Sequence, residues 1–82
     1  MNAASQRIAE KIVARLLPAV ADAVSEWEGF GIGLHCDGCD APVLPSEAQH
    51  EPRLPDGRTL RFHAPCAAAW HRLRDVLPLL RR

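Results

Sequence analysis

The sequence predicts a small α+β domain in which a helix lies at each end of the chain and a β-hairpin lies between them. Three observations support this fold class. Apolar residues recur every three or four positions in residues 4–28 and again in residues 64–77, a spacing typical of helices with one buried face. Residues 41–62 contain four prolines, which exclude a helix there. Three cysteines and one histidine form two close pairs, Cys36 with Cys39 and His63 with Cys66.

The first predicted helix covers residues 4–28, and Ser5 is its expected N-cap. Pro18 lies inside this segment. Because proline lacks an amide hydrogen and its ring clashes with the preceding turn, we expect a kink or a break near Leu16–Leu17, after which a second helix can begin with Pro18 in its first turn. The apolar stripe of this region consists of Ile8, Ile12, Val13, Leu16, Leu17, Val20, Val24 and Trp27.

This apolar stripe has two interpretations. In one, it packs on the rest of the domain and completes a single core. In the other, part of it pairs with a second copy of the chain, because eight large apolar residues are many for an 82-residue protein to cover alone. Residues 1–30 are therefore predicted to be an amphipathic helical region that packs on the remaining module or dimerises. Residues 31–82 are predicted to be the metal-binding module.

The two ligand pairs predict a zinc site. Cys36 and Cys39 flank a tight turn in which Gly38 allows backbone amides to point toward sulfur. His63 and Cys66 follow 23 residues later. Thiolates and an imidazole at this spacing are the donors that zinc prefers, and four of them make a closed, tetrahedral, structural site.

Alternatives remain open for both pairs. A redox pair of cysteines is disfavoured, because the glycine between Cys36 and Cys39 suits a turn better than the start of a helix. His71 lies five residues after Cys66 and competes with His63 as the fourth ligand. The remaining histidines, His35 and His50, are expected at the surface. Arg58 and Arg61 are expected either at the surface or near the metal.

The hairpin region has recognisable strand and turn patterns. Residues 32–35 are expected to form a short strand, and residues 59–63 alternate as a second strand with Leu60 or Phe62 facing the core. Residues 55–57 read Pro-Asp-Gly, which predicts a turn because proline presets its φ and glycine accepts a positive one.

The second predicted helix covers residues 64–77. Pro65 suits its first turn, and Cys66 then lies at the helix N-terminus, where free amides favour a thiolate. Pro78 is expected to end or bend this helix. Its predicted buried residues are Trp70, Leu73, Val76 and Leu77.

A cysteine turn, a hairpin and a ligand pair whose last cysteine opens a helix together resemble the treble-clef zinc fingers. The spacing Cys-x2-Cys-x23-His-x2-Cys is also similar to the first zinc module of a LIM domain, over about residues 34–77. Ala67, Ala68 and Ala69 stand where a LIM domain continues with another cysteine, so the second zinc module is absent. The resemblance implies zinc and a local fold. It does not imply one function, because treble clefs bind nucleic acids, bind proteins or catalyse reactions.

Charge is unevenly distributed along a chain whose formal net charge is zero. Residues 31–52 carry four acidic residues and neither Lys nor Arg, whereas residues 53–82 carry seven arginines against two aspartates. Because the neutral total gives no general attraction for nucleic acid, we expect a small regulatory or adaptor protein that binds another protein or itself. The alternative is a nucleic-acid-binding zinc finger that uses the basic C-terminal segment.

Neither an enzyme nor a membrane protein is expected. A catalytic zinc needs an open coordination position, and the predicted site uses all three cysteines. No apolar run approaches the roughly 20 residues of a membrane-spanning helix. The N-terminus lacks the order of a signal peptide, and three cysteines cannot all pair within one chain, so a cytoplasmic location is expected.

Overall fold

The computed structural model describes residues 2–18 and 23–80, the last four of these by their backbone only. The elements, in chain order, are α1 (Ala3–Val13), β1 (Ser25–Phe30), β2 (Ala48–Arg53), β3 (Phe62–His63) and α2 (Ala64–Leu80). The three strands form one antiparallel sheet in the order β1-β2-β3. The chain is therefore a small α+β domain with one helix before and one helix after the sheet, as the sequence predicts.

Helix α1 begins at Ala3, one residue before the predicted start, but its N-cap lies three residues before the expected one. The Asn2 side-chain oxygen Oδ1 accepts a hydrogen bond from the Ser5 backbone N–H at 2.7 Å, so Asn2 is the N-cap. The prediction that Ser5 caps the helix is wrong, because Ser5 lies inside the first turn and is buried.

The C-terminal end of α1 is a Schellman motif. Arg15 has a left-handed φ of 63°, and its N–H donates to the Ile12 carbonyl. The N–H of Leu16 donates to the Lys11 carbonyl at 2.8 Å. These two bonds satisfy carbonyls that the helix leaves free, a pattern that usually requires glycine at the left-handed position. Because arginine occupies this position, the sequence lacks the glycine that usually indicates a helix end.

The prediction that one helical region covers residues 4–28 is wrong, because α1 ends at Val13 and residues 25–30 form β1. Of the kink or break expected near Leu16–Leu17, the structure has a break, which lies slightly earlier, after Val13. Val24 lies in a bend, and Trp27 lies in β1, so neither continues a helical stripe. The predicted second helix would also include residues 19–22, which lie outside the described residues.

Strand β1 pairs along its whole length with β2, from Ser25 opposite Arg53 to Phe30 opposite Ala48. The strand expected at residues 32–35 is wrong, because only an isolated bridge between His35 and Pro42 forms there. The second expected strand is shortened to β3. The turn at residues 55–57 is confirmed, with Gly57 at φ 93°.

The core lies between α1, the sheet and α2. Ile8 and Ile12 of α1 pack into it, and the rings of Phe62 and Trp70 stack with centroids 5.2 Å apart. Leu60 is buried together with Phe62, so both candidates for the inward position face the core. Among the described residues of the predicted stripe, Ile8, Ile12 and Leu17 are buried, whereas Val13, Leu16, Val24 and Trp27 are exposed. Val20 lies outside the described residues.

Helix α2 begins at Ala64 with Pro65 in its first turn, as expected, but it continues through Pro78 to Leu80. Pro78 does not end the helix, contrary to one of the two expected outcomes. It gives up one backbone hydrogen bond, and only two helical residues follow it. The Trp70 indole Nε1–H donates to the Pro18 carbonyl at 2.9 Å and ties the segment after α1 to α2.

Val76 of α2 is 42% exposed, which contradicts its predicted place in the buried stripe, and the side chain of Leu77 lies outside the described residues. Neither described helix has the length and apolar character that a membrane-spanning segment needs. Strand β1, from the predicted N-terminal region, shares a sheet with β2 from the predicted module.

Candidate metal centre

The first ligand pair lies in a tight turn between β1 and β2. Within it, the N–H groups of Gly38 and Cys39 point at Cys36 Sγ, at 3.3 and 3.5 Å. A side chain on Gly38 would press against Ile8 at about 3.0 Å, so glycine here also allows α1 to pack on the turn. We call residues 36–40 the cysteine turn.

The cysteine turn is bonded to the segment that leads into β3. The Asp37 N–H donates to the Arg61 carbonyl at 2.6 Å, and the Asp37 carboxylate accepts the Arg61 N–H at 2.7 Å. Because β3 follows directly and α2 begins at residue 64, this reciprocal pair fixes the turn relative to the second ligand pair.

The four predicted ligand residues lie together. Their donor atoms all lie within 4.8 Å of one another. His63 Nδ1 is 3.4 Å from Cys39 Sγ and 3.9 Å from Cys66 Sγ. A tetrahedral zinc ion with these donors separates neighbouring ligand atoms by roughly 3.5–3.8 Å. Cys36, Cys39, His63 and Cys66 thus form a Cys3His cluster that can hold one metal ion, and its donor set suits zinc.

The second ring nitrogen of His63, Nε2, also has polar partners. Nε2 lies 3.1 Å from the Pro42 carbonyl and 3.5 Å from Glu47 Oε1. Because the carbonyl can only accept, Nε2 carries the hydrogen, and Nδ1 is left with a free lone pair toward the three sulfurs. Carbonyl and carboxylate partners of this kind orient metal-binding histidines and increase their basicity.

The cysteines differ in acidity. A hydrogen bond from Cys66 lowers the pKa of Cys36 to about 4, with help from the backbone amides of the turn and against the effect of burial. The pKa of Cys66 is raised, first by its hydrogen bond to Cys36 and then by burial. Without metal, the cluster therefore holds a thiolate at Cys36 and a proton on Cys66.

His63 responds to the same thiolate. Burial alone lowers the pKa of His63, but the hydrogen bond and charge of Cys36, the charge of Glu47 and the Pro42 carbonyl together raise it. Negative or electron-rich groups thus lie on both sides of the ring, with the sulfurs at Nδ1 and with Glu47 and the Pro42 carbonyl at Nε2, as expected for a site that attracts a cation.

The other histidines lie in different surroundings. His71 Nε2 is 3.4 Å from Glu26 Oε1, and its ring contacts the Trp70 ring, so His71 does not belong to the cluster. His50 lies 3.7 Å from a Glu28 carboxylate oxygen, and His35 is exposed. The predicted arginine neighbours form contacts elsewhere, Arg58 with Asp56 and Arg61 with Glu51.

Two cations of α1 that the sequence did not single out reach the cysteine turn instead. Lys11 Nζ donates to the Asp37 carbonyl at 2.9 Å and forms an ion pair with Asp40, which also pairs with Arg7 at 2.8 Å. Arg7 and Lys11 are four residues apart and so share one helix face. That spacing is the only signal the sequence offers, because Asp40 lies far away along the chain.

Comparison with protein-family models, with curated proteins and with solved structures finds no match to this chain. The likeness to treble-clef fingers and to the LIM zinc module therefore rests on ligand order and spacing alone. The fold and the cluster define a small α+β domain with a candidate Cys3His metal centre.

Proposed function

We propose that this chain is a small protein-binding domain stabilised by one structural zinc ion, with Cys36, Cys39, His63 and Cys66 as ligands. The convergence of these four donor atoms within 4.8 Å carries the proposal. Three thiolates and one imidazole would fill a tetrahedral zinc and leave no position for a substrate. The site is therefore structural, and the chain is not an enzyme.

Zinc would connect the cysteine turn to the start of α2. Cys36 and Cys39 lie in the cysteine turn, whereas Cys66 lies in the first turn of α2. Domains near this size rarely obtain enough stability from a hydrophobic core alone, so a bound metal contributes directly to folding. Three thiolates with one Zn²⁺ carry a formal charge of −1, and Lys11 at the cysteine turn offsets part of it.

Exposed apolar residues support a role in protein binding. Phe30 and Ile32 are 69% and 70% exposed, and four more large apolar residues between positions 24 and 44 are also exposed: Val24, Trp27, Leu34 and Leu44. Exposed apolar patches on small proteins commonly mark contact surfaces. The partner is another protein or a second copy of this chain.

Dimerisation through the N-terminal helix remains the less supported form of this proposal. Ile8 and Ile12 are buried within one chain, so only Val13 and Leu16 of the described α1 region offer apolar surface. Nucleic-acid binding is also less supported. Arg58 is paired with Asp56, and the Arg74 guanidinium lies 4.6 Å from the centre of the Trp70 ring.

The test is native mass spectrometry and thermal unfolding of protein purified without added metal. We expect one zinc per chain and a single cooperative transition. Cys39→Ser should lose both, because metal binding and folding are coupled. His63→Gln should behave like Cys39→Ser, whereas His71→Gln, which removes an imidazole outside the cluster, should keep its zinc. Metal-free protein with a wild-type transition would overturn the structural-zinc proposal.

A further inference from the structure

The outer side of β1 is an unpaired sheet edge. Strand β1 lies at the end of the sheet order, and its only strand neighbour in the described part of the chain is β2. Five of its six residues are exposed. An exposed edge strand is a template for pairing with another extended chain.

The register identifies which backbone groups face outward. The Gly31 N–H donates to the Glu47 carbonyl, so position 31 points toward β2. Antiparallel pairs alternate, and therefore Ser25, Trp27 and Gly29 also bond to β2, whereas Glu26, Glu28 and Phe30 point outward. The position of Pro52 opposite Glu26 supports this assignment. Proline has no N–H to donate to Glu26, and the Pro52 carbonyl accepts the Leu60 N–H on the other side of β2.

We call the outward N–H and C=O groups of Glu26, Glu28 and Phe30 the β1 edge. Within the described ranges, the backbone N–H and C=O groups of these three residues form no hydrogen bond with turns, loops or caps. The β1 edge therefore offers three donors and three acceptors to an added strand.

The side chains along the β1 edge are acidic and aromatic. Glu26 and Glu28 lie on one face with Phe30, and Trp27 lies on the other face, with its indole over Gly29. The two carboxylates are 45% and 69% exposed, and their neighbours within the protein are the imidazoles of His71 and His50. Because both carboxylates are partly exposed, they can reach the basic side chains of a partner.

We propose that the β1 edge binds an extended, cationic segment of a partner protein as a fourth strand of the sheet. The segment would place two basic side chains opposite Glu26 and Glu28 on one face of the sheet, with an apolar side chain beside Trp27 on the other face. Main-chain hydrogen bonds would supply affinity, and these alternating side chains would supply specificity. This inference rests on the proposed protein-binding function.

A second copy of this chain is a poorer occupant of the same edge. If two β1 strands paired antiparallel about Trp27, Glu26 would lie opposite Glu28 twice, and like charges directly opposite destabilise a sheet. Acidic side chains on an edge strand are a known way to prevent self-pairing. Arg72 and Arg74 lie on α2, whose helical backbone cannot form an added strand.

The experiment uses zinc-loaded, full-length protein labelled with ¹⁵N and titrated with a blocked hexapeptide of alternating valine and lysine. The control peptide has glutamate in place of lysine. With the lysine peptide, the amides of Glu26, Glu28 and Phe30 should exchange with solvent at least about tenfold more slowly. The amides of Trp27 and Gly29 should not change, because they already bond to β2. Protection at every second residue distinguishes strand addition from contact with a side-chain face.

Substitutions in the β1 edge separate the backbone contribution from the charge contribution. Glu28→Pro removes an outward N–H and the Glu28 carboxylate but no bond to β2, and prolines are tolerated at such edge positions. Glu28→Gln removes the charge alone, so the lysine peptide should bind at least about tenfold more weakly to Glu28→Pro than to Glu28→Gln. Glu26→Gln combined with Glu28→Gln should weaken binding about three- to tenfold in low salt, and this difference should disappear near 0.5 M NaCl. Glu10→Gln, on the exposed side of α1, is the matched control and should bind like wild type.

Several results would overturn the inference. Equal binding of the lysine and glutamate peptides would remove its charge argument. Protection of the β1 edge that rises with protein concentration, without peptide, would identify a second copy as the occupant. Spectral shifts confined to Val13 and Leu16 would exclude the β1 edge and leave the protein-binding function standing. The zinc content and melting temperature of each variant test the structural-zinc proposal independently of peptide binding.

Discussion

Beside the Cys3His cluster, Asp37 and Arg61 exchange two hydrogen bonds, and the N–H groups of Gly38 and Cys39 point at sulfur. Along β1, by contrast, the backbone is bonded on one side only among the described residues, and large apolar side chains such as Phe30 face solvent. The polar groups of the first region bond within the chain, whereas the outward backbone groups of β1 have no partner in the described ranges. We therefore expect stability and binding to be located in different parts of this small domain, as where a rigid scaffold presents a contact surface.

Acidification should produce the largest difference between the two regions, because it acts on the metal centre. The raised pKa of Cys66 means that zinc must displace its proton at neutral pH. Each displaced proton weakens the apparent zinc affinity about tenfold for each pH unit lost. We expect at least about a 100-fold weaker affinity at pH 6 than at pH 8, measured by competition with a chromophoric chelator. His71→Gln should show the same slope, and an affinity independent of pH would contradict the proton balance.

A substitution at Gly31 should loosen the β1 region without touching the cluster. A Cβ at this position would overlap the backbone carbonyls of Val43 and Leu44, which cannot move aside easily. Gly31→Ala should lower the free energy of unfolding by about 1–3 kcal/mol, measured by urea denaturation, with zinc still bound.

Gly29→Ala is the matched control for Gly31→Ala. Its Cβ would meet only the Trp27 indole, a side chain that is half exposed and can rotate. We expect a change within about 0.5 kcal/mol. Equal effects of the two substitutions would show that the chain near Gly31 is less closely packed than described.

A substitution at Arg15, at the end of α1, should stabilise the protein. A left-handed arginine costs about 1–2 kcal/mol relative to glycine, and part of the gain from glycine is lost to the greater freedom of the unfolded chain. Arg15→Gly should raise the free energy of unfolding by about 0.5–1 kcal/mol, seen as a higher melting temperature. Ala14→Gly should instead lower it, because Ala14 has a right-handed φ of −78°. A lower melting temperature for Arg15→Gly would contradict the Schellman motif.

The smallest effect is expected at Asp40, which joins α1 to the cysteine turn. Hydrogen bonds from Lys11 and Arg7 hold the pKa of Asp40 below its usual value of 3.8. A carboxyl whose pKa is lowered by folding stabilises the protein above its unfolded pKa, and this contribution disappears as the pH falls through the folded pKa.

Asp40→Asn should therefore lower the free energy of unfolding at pH 7 by less than about 1 kcal/mol. Because acid also removes the metal, the check is made at pH 7 by denaturation in low salt and in about 1 M NaCl, where the difference should shrink. Asp75→Asn, an exposed aspartate on α2, is the control. An Asp40→Asn effect that is unchanged by salt would mean that the ion pairs are not its source.

The sequence predicted the ligand cluster and α2 better than it predicted β1. Metal donors are recognised by residue type and local spacing, and Cys36, Cys39 and Cys66 are the only cysteines in the chain. Strand β1 forms because it pairs with residues 48–53, more than 15 residues away, and a local helical spacing carries no information about that pairing. Val24 and Trp27 happen to continue the period of α1.

The boundaries of α1 were missed for local reasons. Both Asn2 and Ser5 are good N-cap residues, and only the hydrogen bond from the Ser5 N–H to Asn2 distinguishes them. At the other end, arginine occupies a position where glycine is the usual signal. Pro18 therefore seemed to be the first break in a helix that had already ended.

The positions of the two tryptophans give the protein built-in optical probes. Trp70 is fully buried and its indole N–H is bonded to the Pro18 carbonyl, whereas Trp27 is half exposed on β1. Indole fluorescence shifts to shorter wavelength in apolar surroundings, and a quencher dissolved in water reaches an exposed ring first. Emission from Trp70 will therefore report unfolding of the interior, and quenching of Trp27 will report coverage of β1. One unlabelled sample can thus follow both events, and Trp27→Phe would assign each component.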